Sequence, residues 1–196
     1  DISRYALGDF PHPFREWNDA YRDAIRQFWL EDIARGYGEG VADIASRISG
    51  SSDIFYYRGP TSSINFITAH DGFTLADLVM YQDKHNGPNQ EDSADGNNDN
   101  RSWNLGVEGP SEDPIVKAHR HQLKKSMMAT LLLSSGVPMM TMGDEIGRTQ
   151  NGSNNGYSLP RDMSPLMEDS EANFMGGWAN KWKLNEEESD ATRSGK

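Results

Sequence analysis

The amino-acid sequence predicts an α/β fold built on a parallel sheet. Residues 63–69 and 137–142 are rich in β-branched, aromatic and other apolar side chains and are bounded by turn residues, as buried strands are. Segments with helical periodicity precede the first of these strands and separate it from the second. Strands that alternate with helices favour parallel pairing through right-handed crossovers, in barrels and in open sheets alike.

Two helices are predicted before the first strand, over residues 20–33 and 41–48. In each, apolar side chains recur at spacings of three and four residues, which places them on one helix face. Asn18 or Asp19 can cap the first helix by accepting a hydrogen bond from its first turn, and Gly50 ends the second. The apolar positions are Tyr21, Ile25 and Phe28, then Val41, Ile44, Ala45 and Ile48.

A third helix is predicted between the two strands, over residues 114–135. Asp113 caps it, and Pro114 takes the first position, where its missing N–H costs no helical hydrogen bond. The apolar side chains expected to face inward recur at Leu123, Met127 and Leu131. Trp17, Trp29 and the methionines of the second strand are also expected to lie in the core. These methionines are Met139, Met140 and Met142.

A long polar loop is predicted over residues 83–111. Its asparagines are Asn86, Asn89, Asn97, Asn98, Asn100 and Asn104. A segment of that length without secondary structure is usually functional or disordered. Amides and carboxylates bind hydroxyl groups, and Trp103 can stack on the apolar face of a sugar ring. The alternative, a solvated loop around one buried tryptophan, stays open.

Polar side chains follow both predicted strands, where parallel sheets keep their ligand sites. His70 and Asp71 follow the first strand and can bind sugar hydroxyls through charge-assisted hydrogen bonds. The alternative is an aspartate that caps a loop beside a structural histidine. Asp144 and Glu145 follow the second strand, and adjacent carboxylates in so acidic a chain are more often structural than catalytic.

The composition argues against several kinds of partner. The 196 residues include 19 Lys and Arg against 30 Asp and Glu, a net charge of −11. Nucleic acids and anionic membranes are therefore not expected as partners, because both need clustered positive charge. The chain has no cysteine and no glycine-rich nucleotide motif, and His119 and His121 face different sides of a helix. No cofactor and no metal are expected.

Several segments resemble the isoamylase and glycogen-debranching branch of the α-amylase superfamily. INFITAHDGFTLADLV, at residues 64–79, closely resembles the strand-seven motif of that branch. WNDAYRD, at 17–23, resembles the segment after strand six. Three later stretches also match: DNRSWN at 99–104, LLLSSGVPM at 131–139 and GDEIGRTQ at 143–150. The resemblance spans about residues 8–157.

The resemblance implies a (β/α)8 barrel, of which residues 1–157 would supply about strands six to eight. It implies hydrolysis of α-1,6-glucosidic branch linkages, with retention, in glycogen, amylopectin or limit dextrin. Asp71 would stabilise the transition state, and His70 would hold the same sugar. Substrate contacts are also implied for Arg101, Trp103 and Asn104. The resemblance implies a cytoplasmic protein, or a plastid one if its source is a plant or alga.

The chain also departs from the pattern of this branch. The nucleophilic aspartate after strand four and the acid/base glutamate after strand five have no counterpart here, so the N-terminal part of the barrel is the missing partner. Residues 158–196 lack the expected continuation and, being rich in Asp, Glu, Ser and Asn, predict a loosely ordered tail. The alternative to an enzyme fragment is a non-catalytic α-glucan-binding module or an inactive truncated product.

Overall fold

A computed structural model describes residues 5–38 and 40–158. Strands β1 (Glu16–Asn18), β2 (Ser63–Asn65) and β3 (Val137–Pro138) pair side by side in that order. Both pairs are parallel, with Trp17 opposite Ile64 and Ile64 opposite Val137. The α/β class and the parallel sheet predicted from the sequence are confirmed.

The strands are shorter than predicted. Of residues 63–69, only Ser63–Asn65 pair as a strand, because the neighbouring strand β1 ends at Asn18, opposite Asn65. The second predicted strand pairs only over Val137–Pro138, although the N–H of Met139 still donates to the carbonyl of Asn65 at 2.7 Å. The three-residue strand β1 was not predicted.

The chain turns directly from β1 into helix α1 (Asp19–Arg26). Of the two predicted caps, Asn18 is the one used, and its Oδ1 accepts from the N–H of Tyr21 at 2.9 Å. The helix continues as a π-helical segment, Gln27–Asp32, and ends with α2 (Ile33–Arg35). The predicted helix over residues 20–33 is thus helical throughout, with a widened middle.

Three further helices follow: α3 (Val41–Ile48), α4 (Ser52–Phe55) and α5 (Pro114–Leu133). The predicted cap of α5 is confirmed, since the carboxylate of Asp113 accepts from the N–H of Ile115 at 2.8 Å. Gly136 then leads into β3 with φ 139°, and a side chain there would start 2.4 Å from Asn65 Nδ2. Glycine therefore avoids a clash with the side chain of Asn65 and adopts this positive φ without strain.

The core lies where α1, α3 and α5 pack together beside the sheet. Its largest buried members are Tyr21, Ile25, Leu30, Phe73, Leu75, Leu78, Met127 and Leu131. The inward stripe predicted for α5 is confirmed. The prediction of a methionine core in the second strand is wrong for Met140 and Met142, which are 46% and 40% exposed. Both lie beyond the last paired residue of β3, so no neighbouring strand covers them.

The described part of the chain contains no helix that is both long and apolar enough to cross a membrane. Apart from Ser158, the predicted polar tail over residues 158–196 lies outside the described residues, so it stays a prediction.

Candidate functional site

His70 and Asp71 lie together after the carboxyl end of the middle strand. His70 Nε2 is 3.3 Å from Asp71 Oδ2, and the two side chains are 73% and 78% exposed. Gly72 follows with φ 87°, which turns the chain back toward the core. The pair therefore presents an imidazole and a carboxylate that a ligand can reach.

Trp17 forms an aromatic wall beside this pair. The centroid of its ring is 5.7 Å from that of His70 and 5.7 Å from that of Phe66, and the residue is 47% exposed. The prediction that Trp17 lies in the core is therefore wrong. An exposed indole next to a carboxylate and an imidazole suits a sugar ring, which has one apolar face and polar edges. The sequence carried no signal for this exposure, because the short strand β1 that ends beside Trp17 was not predicted.

Asp144 is buried behind the same pair and is held by hydrogen bonds. Its Oδ2 accepts from the hydroxyl of Thr68, and its Oδ1 accepts from the N–H of Leu75 at 3.1 Å. Burial raises the pKa of Asp144, although these hydrogen bonds act in the opposite direction. The next residue, Glu145, is exposed and accepts from the N–H of Gly143 at 2.8 Å. A structural role for Asp144, favoured by the sequence, fits these contacts.

Asp77 is a second buried carboxylate close to the site, and the sequence did not single it out. It accepts from the hydroxyls of Thr74, at 2.9 Å, and Thr149, and from the N–H of Gln150 at 2.7 Å. Burial raises its pKa. These contacts fasten the chain after β3 to the chain after β2. In the described ranges, no group of three or more His, Asp or Glu side chains is placed to hold a metal ion.

Asn154 connects the polar loop to the turn that carries Asp71. Its side chain accepts from Asn86 Nδ2 at 2.8 Å and donates to Asn100 Oδ1 at 2.7 Å and to the carbonyl of Asn97 at 2.6 Å. Its backbone carbonyl accepts from the N–H of Gly72 at 2.9 Å. Because Asn154 is 1% exposed, these amides support the loop instead of facing a ligand. No role was predicted for Asn154 from the sequence.

The three loop residues predicted to bind substrate differ in the contacts that they already make within the protein. Arg101 lies 3.8 Å from Asp23 and 3.6 Å from Asp99, distances longer than hydrogen bonds, so its guanidinium can still bind a ligand. Trp103 is partly buried against the core, and its backbone N–H donates to the carbonyl of Leu78 at 3.0 Å.

The third of these residues, Asn104, uses its side-chain amide within the loop. Its Nδ2 donates to Glu108 Oε2 at 2.8 Å, and its Oδ1 accepts from the N–H of Gly106 at 2.8 Å. In the part of the chain that the structure describes, no hydrogen bond or ion pair joins Arg101, Trp103 or Asn104 to His70 or Asp71.

The sequence and the fold of this chain are similar to those of known proteins. Over 162 residues the chain is 51% identical to the glycogen operon protein GlgX homolog of Mycobacterium tuberculosis. The matched segment is 82% of this chain and 22% of the relative. Over 156 residues it is 48% identical to the glycogen debranching enzyme of Erwinia tasmaniensis. That matched segment is 78% of this chain and 23% of the enzyme. This chain is homologous to a segment of glycogen debranching enzymes. The resemblance inferred from the strand-seven motif is thereby confirmed.

The chain spans less than a quarter of the length of these debranching relatives. Among solved structures, the pullulanase from Bacillus acidopullulyticus matches with a TM-score of 0.52 and 21% identity, over 82% of this chain and 17% of that one. At this identity the likeness concerns the fold alone. A scan against models of protein families found no match.

Proposed function

We propose that this chain supplies strands six to eight of a (β/α)8 barrel in a longer glycogen debranching enzyme. The reaction is the hydrolysis, with retention, of α-1,6-glucosidic branch linkages in glycogen or related α-glucans. The observation that carries the proposal is the exposed His70–Asp71 pair after the carboxyl end of the middle strand. Barrel enzymes place their catalytic groups at that face. The homology to debranching enzymes supports the substrate.

The sheet is consistent with three consecutive barrel strands. In the described residues β1 and β3 each pair on one side only, and both pairs are parallel. A closed barrel needs a neighbour on both sides of every strand. We infer that strand five pairs with β1 and strand one with β3, and that both come from the N-terminal part of the longer protein.

The site contributes transition-state stabilisation in this proposal. A retaining glycosidase uses a nucleophile and an acid/base carboxyl group about 5–5.5 Å apart, and the transition state carries positive charge on the sugar ring. The rest of the barrel supplies both of those groups. Asp71 binds hydroxyls of the sugar at the cleavage point through hydrogen bonds that strengthen as this charge develops. His70 holds the same sugar, and Trp17 provides an apolar wall.

The test is the substitution Asp71→Asn in the longer enzyme. The amide keeps the shape of the side chain and removes its charge, so kcat is expected to fall about 100-fold or more. The rate is measured as reducing-sugar release from a branched glucan, with circular dichroism to check folding. Asp83→Asn changes an exposed aspartate in the polar loop and serves as the matched control. Wild-type turnover in Asp71→Asn would reject the function of this site.

A further inference from the structure

The turn that carries Asp71, residues 69–74, is held at both ends by one side chain. Asp144 Oδ2 accepts from the hydroxyl of Thr68, immediately before the turn. Asp144 Oδ1 accepts from the N–H of Leu75, immediately after it, at 3.1 Å. The carboxylate comes from the chain after β3, so it links two neighbouring strand ends. One rigid group thus fixes the separation between the ends of the Asp71 turn.

The two acceptor oxygens of this group matter more than its size. Asp144 is 6% exposed, and burying a carboxylate is unfavourable unless its oxygens are hydrogen-bonded. An apolar side chain would avoid that cost but would leave the Thr68 hydroxyl and the Leu75 N–H without this acceptor. Burial raises the pKa of Asp144, and the hydrogen bonds from Thr68 and Leu75 and the charge of Arg148 act in the opposite direction. The site therefore keeps an acceptor for two groups, both at the boundaries of the Asp71 turn.

The rest of the turn is fixed in the same way. The N–H of Gly72 donates to the carbonyl of Asn154 at 2.9 Å, which holds the middle of the turn. The side chains of His70 and Asp71 nevertheless remain 73% and 78% exposed. A backbone held at three points with free functional groups is the arrangement of a preorganised site.

We propose that Asp144 is a positioning residue that sets the place of Asp71 against the sugar in the transition state. It acts through Thr68 and the backbone of Leu75 and does not touch the sugar. The proposal rests on the proposed function of Asp71. The two hydrogen bonds of Asp144, to Thr68 and Leu75, are called the clamp here. A displacement of about 1 Å in a group that acts on the transition state can cost about 100-fold in rate, so loss of the clamp should lower kcat.

The experiment is a double-mutant cycle in the longer enzyme with Asp144→Ala, Asp71→Asn and both together. Asp144→Ala is expected to lower kcat about 10- to 100-fold, with a smaller change in KM. The double mutant should lose little beyond Asp71→Asn alone, because the clamp acts only through Asp71. Losses that multiply would overturn the proposal. Met127→Ala, a core substitution, is the control for destabilisation, and its effect should multiply with that of Asp71→Asn.

Amide hydrogen exchange separates failure of this proposal from failure of the proposed function. Asp144→Ala should speed exchange in peptides covering the Asp71 turn, and Met127→Ala should not do so selectively. If Asp71→Asn slows the enzyme but the turn exchanges as in wild type, the positioning role alone is overturned. If Asp71→Asn has wild-type activity, both ideas fail. Should Asp144→Ala not fold, Thr68→Val removes one of the two contacts, and an unchanged kcat would count against the clamp.

Discussion

At the scale of single residues, Glu108 organises one end of the polar loop. Its carboxylate accepts from the N–H of Gln82 at 2.8 Å and of Asp83 at 3.2 Å. It also accepts from Asn104 Nδ2 at 2.8 Å and lies 2.9 Å from His85 Nε2. Partial burial acts to raise the pKa of Glu108, but these hydrogen bonds outweigh it and hold the pKa below its usual range.

Glu108→Gln is expected to destabilise the loop at neutral pH and less so in acid. Because the folded pKa is lowered, the stability that Glu108 contributes is present above its ordinary value of 4.5 and is lost as pH falls through the lowered pKa. The cost at pH 7 is about 1 kcal/mol, small because the group is partly exposed. Urea unfolding from pH 7 downward measures it. Glu91→Gln, at an exposed position of the same loop, is the control. If the difference in unfolding free energy between wild type and Glu108→Gln grew as the pH fell, this role of Glu108 would be contradicted.

Single residues also show where sequence reasoning stops. The chemistry of His70 and Asp71 follows from their types and from their place after an apolar run. The exposure of Trp17 does not follow from the sequence, because an indole before a helix cap fits a core position equally well. Only the position of strand β1 in the structure shows that Trp17 is exposed. A structural role was expected for Asp144, yet its partners are 69 and 76 residues away in sequence, beyond the reach of local patterns.

At the scale of elements, the polar loop is ordered by side-chain amides. Asn154 is hydrogen-bonded to both Asn86 and Asn100, and all three are buried, so they form a layer of amides that holds the loop to the chain after β3. The sequence predicted its length and its asparagines but not which amides pair, since pairing depends on the chain after β3. Helices were predicted more closely than strands. Their caps and periodicity are local signals, whereas strand length depends on where a neighbouring strand ends.

Asn154→Ala should loosen this layer. Truncation leaves the buried Asn100 Oδ1 without its donor from Asn154, which costs about 1–3 kcal/mol for the unsatisfied group. Asn86 loses one hydrogen bond but keeps those to the Asp95 carbonyl and to the backbone N–H of residue 154. Limited proteolysis of the longer enzyme is expected to cut residues 83–111 faster in this variant than in wild type. Asn98→Ala, at an exposed position of the same loop, should be cut at the wild-type rate. Equal cleavage of the two variants would show that the amide network does not hold the loop.

At the scale of the whole molecule, the order of elements predicted the α/β class and the parallel sheet. Helices fill one side of the described sheet, where α1, α3 and α5 pack together. Periodicity and composition do not reveal how many strands complete the sheet, and only the family resemblance supplied the barrel. The described strands β1 and β3 each have one unpaired edge. Exposed Trp17, Met140 and Met142 lie near the ends of these outer strands.

The isolated chain is expected not to hydrolyse glucans. A retaining glycosidase needs a nucleophile and an acid/base carboxyl group, and Asp71 is proposed to be neither, so its contacts have no bond-breaking step to assist. Glu145 is a candidate substitute, and its Oε2 already accepts from the N–H of Gly143. The open edges of β1 and β3 should also lead the chain to aggregate or to dimerise.

Two measurements on the purified 196-residue chain check this expectation. Reducing-sugar release from glycogen or pullulan should stay at background, while the longer enzyme under the same conditions releases sugar. Light scattering coupled to size exclusion should show species larger than a monomer, because unpaired parallel strands expose a row of N–H and C=O groups to a second chain. Activity that survives purification and disappears on Asp71→Ala would mean that this segment holds a complete catalytic set. The proposal that the rest of the barrel supplies the nucleophile and the acid/base group would then be wrong.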